Sequence, residues 1–146
     1  MARLAKAAFL CAALAALGAS QAQADPGVPV RIRVLKGSRQ GPPGVAPQLQ
    51  DLTAQLSATA YVRWEQSAET QASMDFKKPA SVSLPGGGQV VVILVETKKD
   101  TATFEVQVPA QRTQSRLTIS KDKRIVHQVT PEKAGEAYFV SIRPWP

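Results

Sequence analysis

Short segments rich in valine, isoleucine and aromatic residues recur about every ten residues between positions 28 and 143, separated by glycine, proline or lysine breaks. Regularly spaced short strands joined by tight turns indicate an antiparallel sandwich or barrel. The expectation is a mainly β chain: an antiparallel β-sandwich, or partly open barrel, of about eight strands, with one α-helix after the first strand. "VPVRIRVLK" (28–36) alternates, with Val30, Ile32 and Val34 on one side and Arg31 and Arg33 on the other. That pattern predicts a half-buried strand with a wet basic face. "QVVVILVE" (89–96) is continuously apolar, which predicts a central strand covered on both faces.

The remaining strands read as 60–67, 71–76, 81–84, 101–108, 115–120, 124–129 and 137–143. Val62 and Trp64 should share one face of the strand at 60–67, with Tyr61, Arg63 and Glu65 on the other. Glu65 and Glu69 would flank a turn. Met74 and Phe76 should share a face. The stretches "SRLTIS" and "RIVHQV" should pair as a hairpin, as should 89–96 and 101–108. "PGGG" (85–88) is a turn, because a valine-rich strand and not a helix follows it.

The stretch "KGSRQGPPGVAPQLQDL" (36–52) has the order of a phosphate cradle: strand, glycines, helix. Its chemistry argues otherwise. Pro42 and Pro43 lack the backbone N–H that would hold a phosphate, and no Gly-Lys-Ser/Thr opens the helix. It reads as a basic, semi-rigid connector carrying Lys36, Ser38 and Arg39. Leu49, Leu52 and Leu56 then form one stripe at spacings of three and four, predicting a helix over 47–59. Pro47 suits its first turn and Asp51 its positive end.

The first 24 residues have the pattern of a secretory signal: Arg3 and Lys6, then "AAFLCAALAAL" (7–17), then "AQA" with small residues at Ala22 and Ala24. The apolar run falls short of the ~20 residues that span a bilayer. Cleavage after Ala24 would leave residues 25–146 as a single β-rich domain, periplasmic or secreted, with no transmembrane segment. Cys11 is the one cysteine and would leave with the signal, so neither disulfide nor thiol chemistry is expected. Removing Arg3 and Lys6 leaves 16 basic against 11 acidic side chains, a net charge of +5. That balance favours an anionic envelope component or a protein partner. Nucleic acid is not expected, because the aromatics are few and Trp64 and Phe104 fall on predicted core faces. Tyr61 beside Arg63, on an outer face, is the faintest resemblance to a stacking platform.

Catalytic inventory is thin. His127 is the one histidine, on a strand face with Ile125 and Val129, where a core or edge role is the ordinary outcome. No serine sits in a G-x-S-x-G context. A zinc site lacks ligands, and the single aspartates of "KKD" and "KDK" belong to charged hairpin tips rather than calcium loops. Neither metal nor cofactor is expected.

"APQLQDL" (46–52), "YVRW" (61–64) and "LPGG" (84–87) together resemble a recurring type of short exported bacterial protein of unknown function. The resemblance implies export and a β-rich fold and carries over no site residue. The expected function is a non-enzymatic binding or assembly module of the cell envelope. Its contact residues would come from Arg31, Arg33, Lys36, Ser38, Arg39, Tyr61 and Arg63. An enzyme inhibitor presenting the 36–47 loop and a hydrolase centred on His127 are the competing expectations. The oligomeric state is left open.

Overall fold

The computed structural model describes residues 27–146. The expected signal segment, with Cys11, Ala22 and Ala24, lies outside the described residues. The described residues are mainly β, with nine strands in two sheets. The first strand is β1 (Val28–Ser38), followed by β2 (Gly44–Val45). A helical stretch comes next: a 3-10 segment (Pro47–Leu52) running into one α-turn, α1 (Thr53–Ser57). Then come β3 (Arg63–Met74), β4 (Pro79–Ser83), β5 (Gln89–Lys98) and β6 (Thr101–Val108). The last three are β7 (Thr113–Ser120), β8 (Ile125–Gln128) and β9 (Glu136–Pro144).

The first sheet has the order β2-β3-β1-β9-β8 and the second β4-β5-β6-β7. All strand pairings are antiparallel except β2 with β3. The sandwich core lies between them. Val30, Ile32 and Val34 face Val90, Val92, Leu94, Phe104 and Val106, all essentially buried. Each such side chain contributes roughly 1.5–3 kcal/mol on burial. This row therefore fixes the register of β1, since a one-residue slip would turn it outward.

A second core occupies the opposite face of the first sheet. Leu35, Trp64, Ala137 and Phe139 pack there under Leu49, Leu52 and Leu56 of the helical stretch, with Tyr61 closing one side. The leucine stripe is buried as predicted, but the helix is shorter and tighter than 47–59. Leu49 and Leu52, three apart, lie in the 3-10 segment, where residues i and i+3 eclipse. Leu56, four further on, lies in the α-turn. No side chain caps the start, so nothing local favours a longer α-helix.

Several expectations are corrected. Arg33 is not on a wet face: it is 1% exposed beneath the helical stretch. The segments 60–67 and 71–76 belong to one strand, β3, so Glu65 and Glu69 do not flank a turn. The irregularity there is a bulge at Ser67, where Val34 pairs with Ala68 and Leu35 with Gln66. Tyr61 is buried rather than outward, whereas Val62 and Phe76 are exposed. β5 alternates, with Val90, Val92 and Leu94 buried and Val91, Ile93 and Val95 half-buried. β7 and β8 do not pair; the chain crosses from one sheet to the other between them. The hairpin of β5 and β6 is present as expected, and "PGGG" is the expected turn, here joining β4 to β5. Among the described residues, no helix is long and apolar enough to cross a membrane.

Candidate functional site

Side chains of the first sheet alternate between its two faces, and the predicted site residues part accordingly. Arg31 and Arg33 share the outer face with Leu35. Arg33 donates to both carboxylate oxygens of Asp51 at 2.8 Å and to the Gln48 carbonyl at 3.2 Å. Arg124 reaches the same carboxylate from the segment before β8. The two guanidiniums hold the Asp51 carboxyl well below the usual carboxylate range, Arg33 foremost, against the opposing effect of burial. Arg31 pairs with Glu69 across the strand, and that hydrogen bond lowers the Glu69 carboxyl. These two arginines are committed to the fold.

Lys36 and Ser38 continue the inner face, the one that carries Val30, Ile32 and Val34. Along this row the chain leaves the sandwich core, and the side chains turn from apolar to polar. Ser38 stands between Arg63 of β3 and Glu136 of β9, and Lys36 stands between Glu65 and Tyr138. Lys36, Ser38, Arg63, Glu65 and Glu136, with the Gln40–Gly41 bend, line an open cleft of about 370 Å³. Within it the Lys36 ammonium lies 3.2 Å from Glu136 and the Arg63 guanidinium 3.0 Å from Glu65. The cleft is densely charged and close to neutral.

A second trough of about 370 Å³ adjoins it at Glu136. It runs between the "PGGG" turn, the Pro109–Gln111 turn and the Thr130–Lys133 loop, with Tyr138 in its wall. Gly86, Gly87 and Gly88 all have φ near +90°, a conformation open to glycine at no steric cost, which explains the glycine run. Polar cleft and trough thus share one end of the sandwich.

Arg39 and Tyr61 sit behind this end. The Arg39 guanidinium lies 5.0 Å from the centre of the Tyr61 ring and pairs with Glu132. That pair raises Arg39 and lowers Glu132, while desolvation raises the Tyr61 hydroxyl. Tyr61, Trp64 and Phe139 meet edge to face, with ring centres 4.8–5.9 Å apart. They lie directly on Gly37. A Cβ there would stand 3.1 Å from Trp64 Cη2 and Tyr61 Cγ and 3.2 Å from Phe139 Cε2. Gly37, met in the sequence as a cradle glycine, is the floor of an aromatic cluster.

The connector itself is pinned. The Arg39 amide donates to the Gly135 carbonyl at 2.8 Å, and the Gly44 and Ala46 amides to Val62 and Trp64 at 3.0 Å. Between these anchors, residues 39–44 are exposed. His127 lies elsewhere, half-buried on the edge strand β8, and burial alone lowers its imidazole. It shares a groove of about 400 Å³ with Thr113 and Ser115 of β7, and no carboxylate lines that groove. Among the described residues, no group of three or more metal-ligating side chains converges.

Sequence reasoning reached Lys36, Ser38 and Arg63 but missed Glu65 and Glu136, their partners. The signal for Glu65 was its parity with Arg63. Glu136 sits in a polar stretch, and only the β1–β9 pairing brings it to the cleft. No protein-family model, curated protein or solved structure matches this chain.

Proposed function

We propose that this is an exported, non-enzymatic binding or assembly module of the cell envelope. Its contact site is the end cleft of Lys36, Ser38, Arg63, Glu65 and Glu136, with Arg39 on its flank. The observation that supports this reading is that charged side chains from three adjacent strands converge on one open cleft. Exposed ion pairs contribute only about 0–1 kcal/mol each. An incoming carboxylate or phosphate can therefore displace Glu136 from Lys36, or Glu65 from Arg63, at small cost and gain a two-cation site. The neighbouring trough offers apolar surface to the rest of such a ligand. An anionic envelope polymer or an acidic protein segment fits this chemistry.

The test is binding of isolated anionic envelope polymers, and of acidic envelope proteins, to the wild type and to Lys36→Glu/Arg63→Glu. The reading expects binding that weakens at least tenfold in the double variant and falls with salt. Binding that is absent, or unchanged by the reversal, refutes it. Arg33 is unsuitable for this test, because its reversal would disrupt the fold.

A second reading rests on the pinned connector. An exposed bend tied down on both sides has the form of an inhibitor's presented loop. Limited proteolysis discriminates: a loop held in place resists cleavage between Arg39 and Gly44, whereas rapid nicking there removes this reading.

A further inference from the structure

A sheet edge left open is a template for another strand, and proteins blunt such edges with lysine, proline or brevity. Three edges of this sandwich are blunted in that way. β4 starts with Pro79 after Lys77 and Lys78. β7 carries the exposed Arg116 and runs into Lys121. β8 is four residues long. The fourth edge differs. β2 covers only Arg63 and Trp64 of β3. Among the described residues no strand pairs with the outer edge of Gln66–Met74, and that stretch contains neither lysine, arginine nor proline. Its residues are mostly small, and its one charge is Glu69, already paired with Arg31.

We propose that this edge pairs antiparallel with the same edge of a second copy, around a twofold axis at Thr70. The register that brings the one charge, Glu69, opposite the Gln71 amide sets Thr70 against itself. It sets Ala68 against Ala72 on the face of Thr70 itself, and Glu69 against Gln71 on the other. Faces match from Ala68 to Ala72, as continuous sheet pairing requires, and the bulge at Ser67 ends the regular pairing. The one charge meets a side-chain amide, so the contact is self-complementary and closed. It joins two five-stranded sheets into one. A strand-edge contact buries less than about 1,200 Å², the class of weak and transient associations. The dimer is therefore concentration-dependent.

Gln71 provides a test with opposite signs. Within one copy it stands opposite Arg31; across the axis it stands opposite Glu69. Gln71→Lys should tighten the dimer and Gln71→Glu should loosen it, each by roughly 3- to 10-fold in sedimentation equilibrium. Thermal stability of the dilute monomer should move the other way, up for Gln71→Glu and down for Gln71→Lys. In a Cys11→Ser background, Thr70→Cys should give a disulfide dimer under mild oxidation, while Ser115→Cys on β7 stays monomeric. The proposal is overturned by a monomer mass up to roughly 1 mM, the weak end of specific association. It is equally overturned if both Gln71 variants shift association the same way, or if Ser115→Cys cross-links as readily as Thr70→Cys.

Discussion

Arg33 and Lys36 stand three residues apart on β1, and each meets one carboxylate, yet their environments are opposite. The Arg33 side chain is 1% exposed and bonds Asp51 through two nitrogens at 2.8 Å. The Lys36 side chain is 30% exposed and touches Glu136 at 3.2 Å across an open cleft. The difference comes from strand parity. Arg33 lies on the face that the helical stretch covers, and Lys36 on the face that runs out of the sandwich. A guanidinium forced under cover needs every donor met, and its planar fork suits a carboxylate. An ammonium at an open end remains hydrated and exchangeable. One pair belongs to the fold and the other to the site.

The sharpest way to break this comparison is to remove each carboxylate in turn. Asp51→Ala strands the buried Arg33 and should cost about 3–5 kcal/mol in urea unfolding. Glu136→Ala or Glu65→Ala should cost about 0–1 kcal/mol. Equal losses would erase the distinction. Gly37 and Gly44 offer a second contrast within the connector. Gly37→Ala drives a methyl into three rings and should cost about 1–3 kcal/mol. Gly44→Ala meets nothing within 4 Å and should stay within about 0.5 kcal/mol.

Replacing the whole buried interaction separates need from benefit. Arg33→Met with Asp51→Leu should fall within about 1 kcal/mol of wild type, far from Asp51→Ala alone. A double variant as damaged as the single one would mean that the pair itself stabilises the fold.

Acid sharpens the same contrast. The folded Asp51 carboxyl is held down by Arg33, so its contribution is full above the unfolded value of about 4 and is lost as pH falls through the folded value. Glu69 and Glu132 act in the same direction. Asp51→Asn should flatten the fall of the unfolding midpoint below about pH 4. His127 gives the smallest effect. Burial lowers its imidazole, so the unfolded chain binds the proton more readily and stability declines as pH drops below about 6.5. His127→Gln should remove that decline between pH 7.5 and 5.5.

Much of the fold was legible because its signals are local. The period-two row of β1, the leucine stripe and the glycine turn each follow from local residue spacing and chemistry alone. The errors share one cause: spacing tells which residues share a face, but not what covers it. Arg31 and Arg33 read as a wet face because nothing in "VPVRIRVLK" announces a helical stretch folding back over it. Val62 and Trp64 differ in burial because β3 begins only at Arg63. Tyr61 lies before the strand, where alternation does not apply. The hairpin expected of 115–120 and 124–129 failed because a short charged link serves a sheet crossing as well as a turn. The cleft was half legible: Lys36, Ser38 and Arg63 carry charge or polarity on their own, whereas Glu136 enters from a strand almost a hundred residues away.

By itself the sequence determined the β class, the inward row of β1, the leucine stripe and the exclusion of a phosphate cradle. Each rests on residue chemistry or on a period of two or three to four residues. Only the tertiary structure decided which cations are buried and which stand open. It also gave Gly37 its role beneath three rings and, among the described residues, left most of one edge of β3 without a partner strand. Those outcomes depend on contacts between residues far apart in the chain, and on where one layer's cover ends.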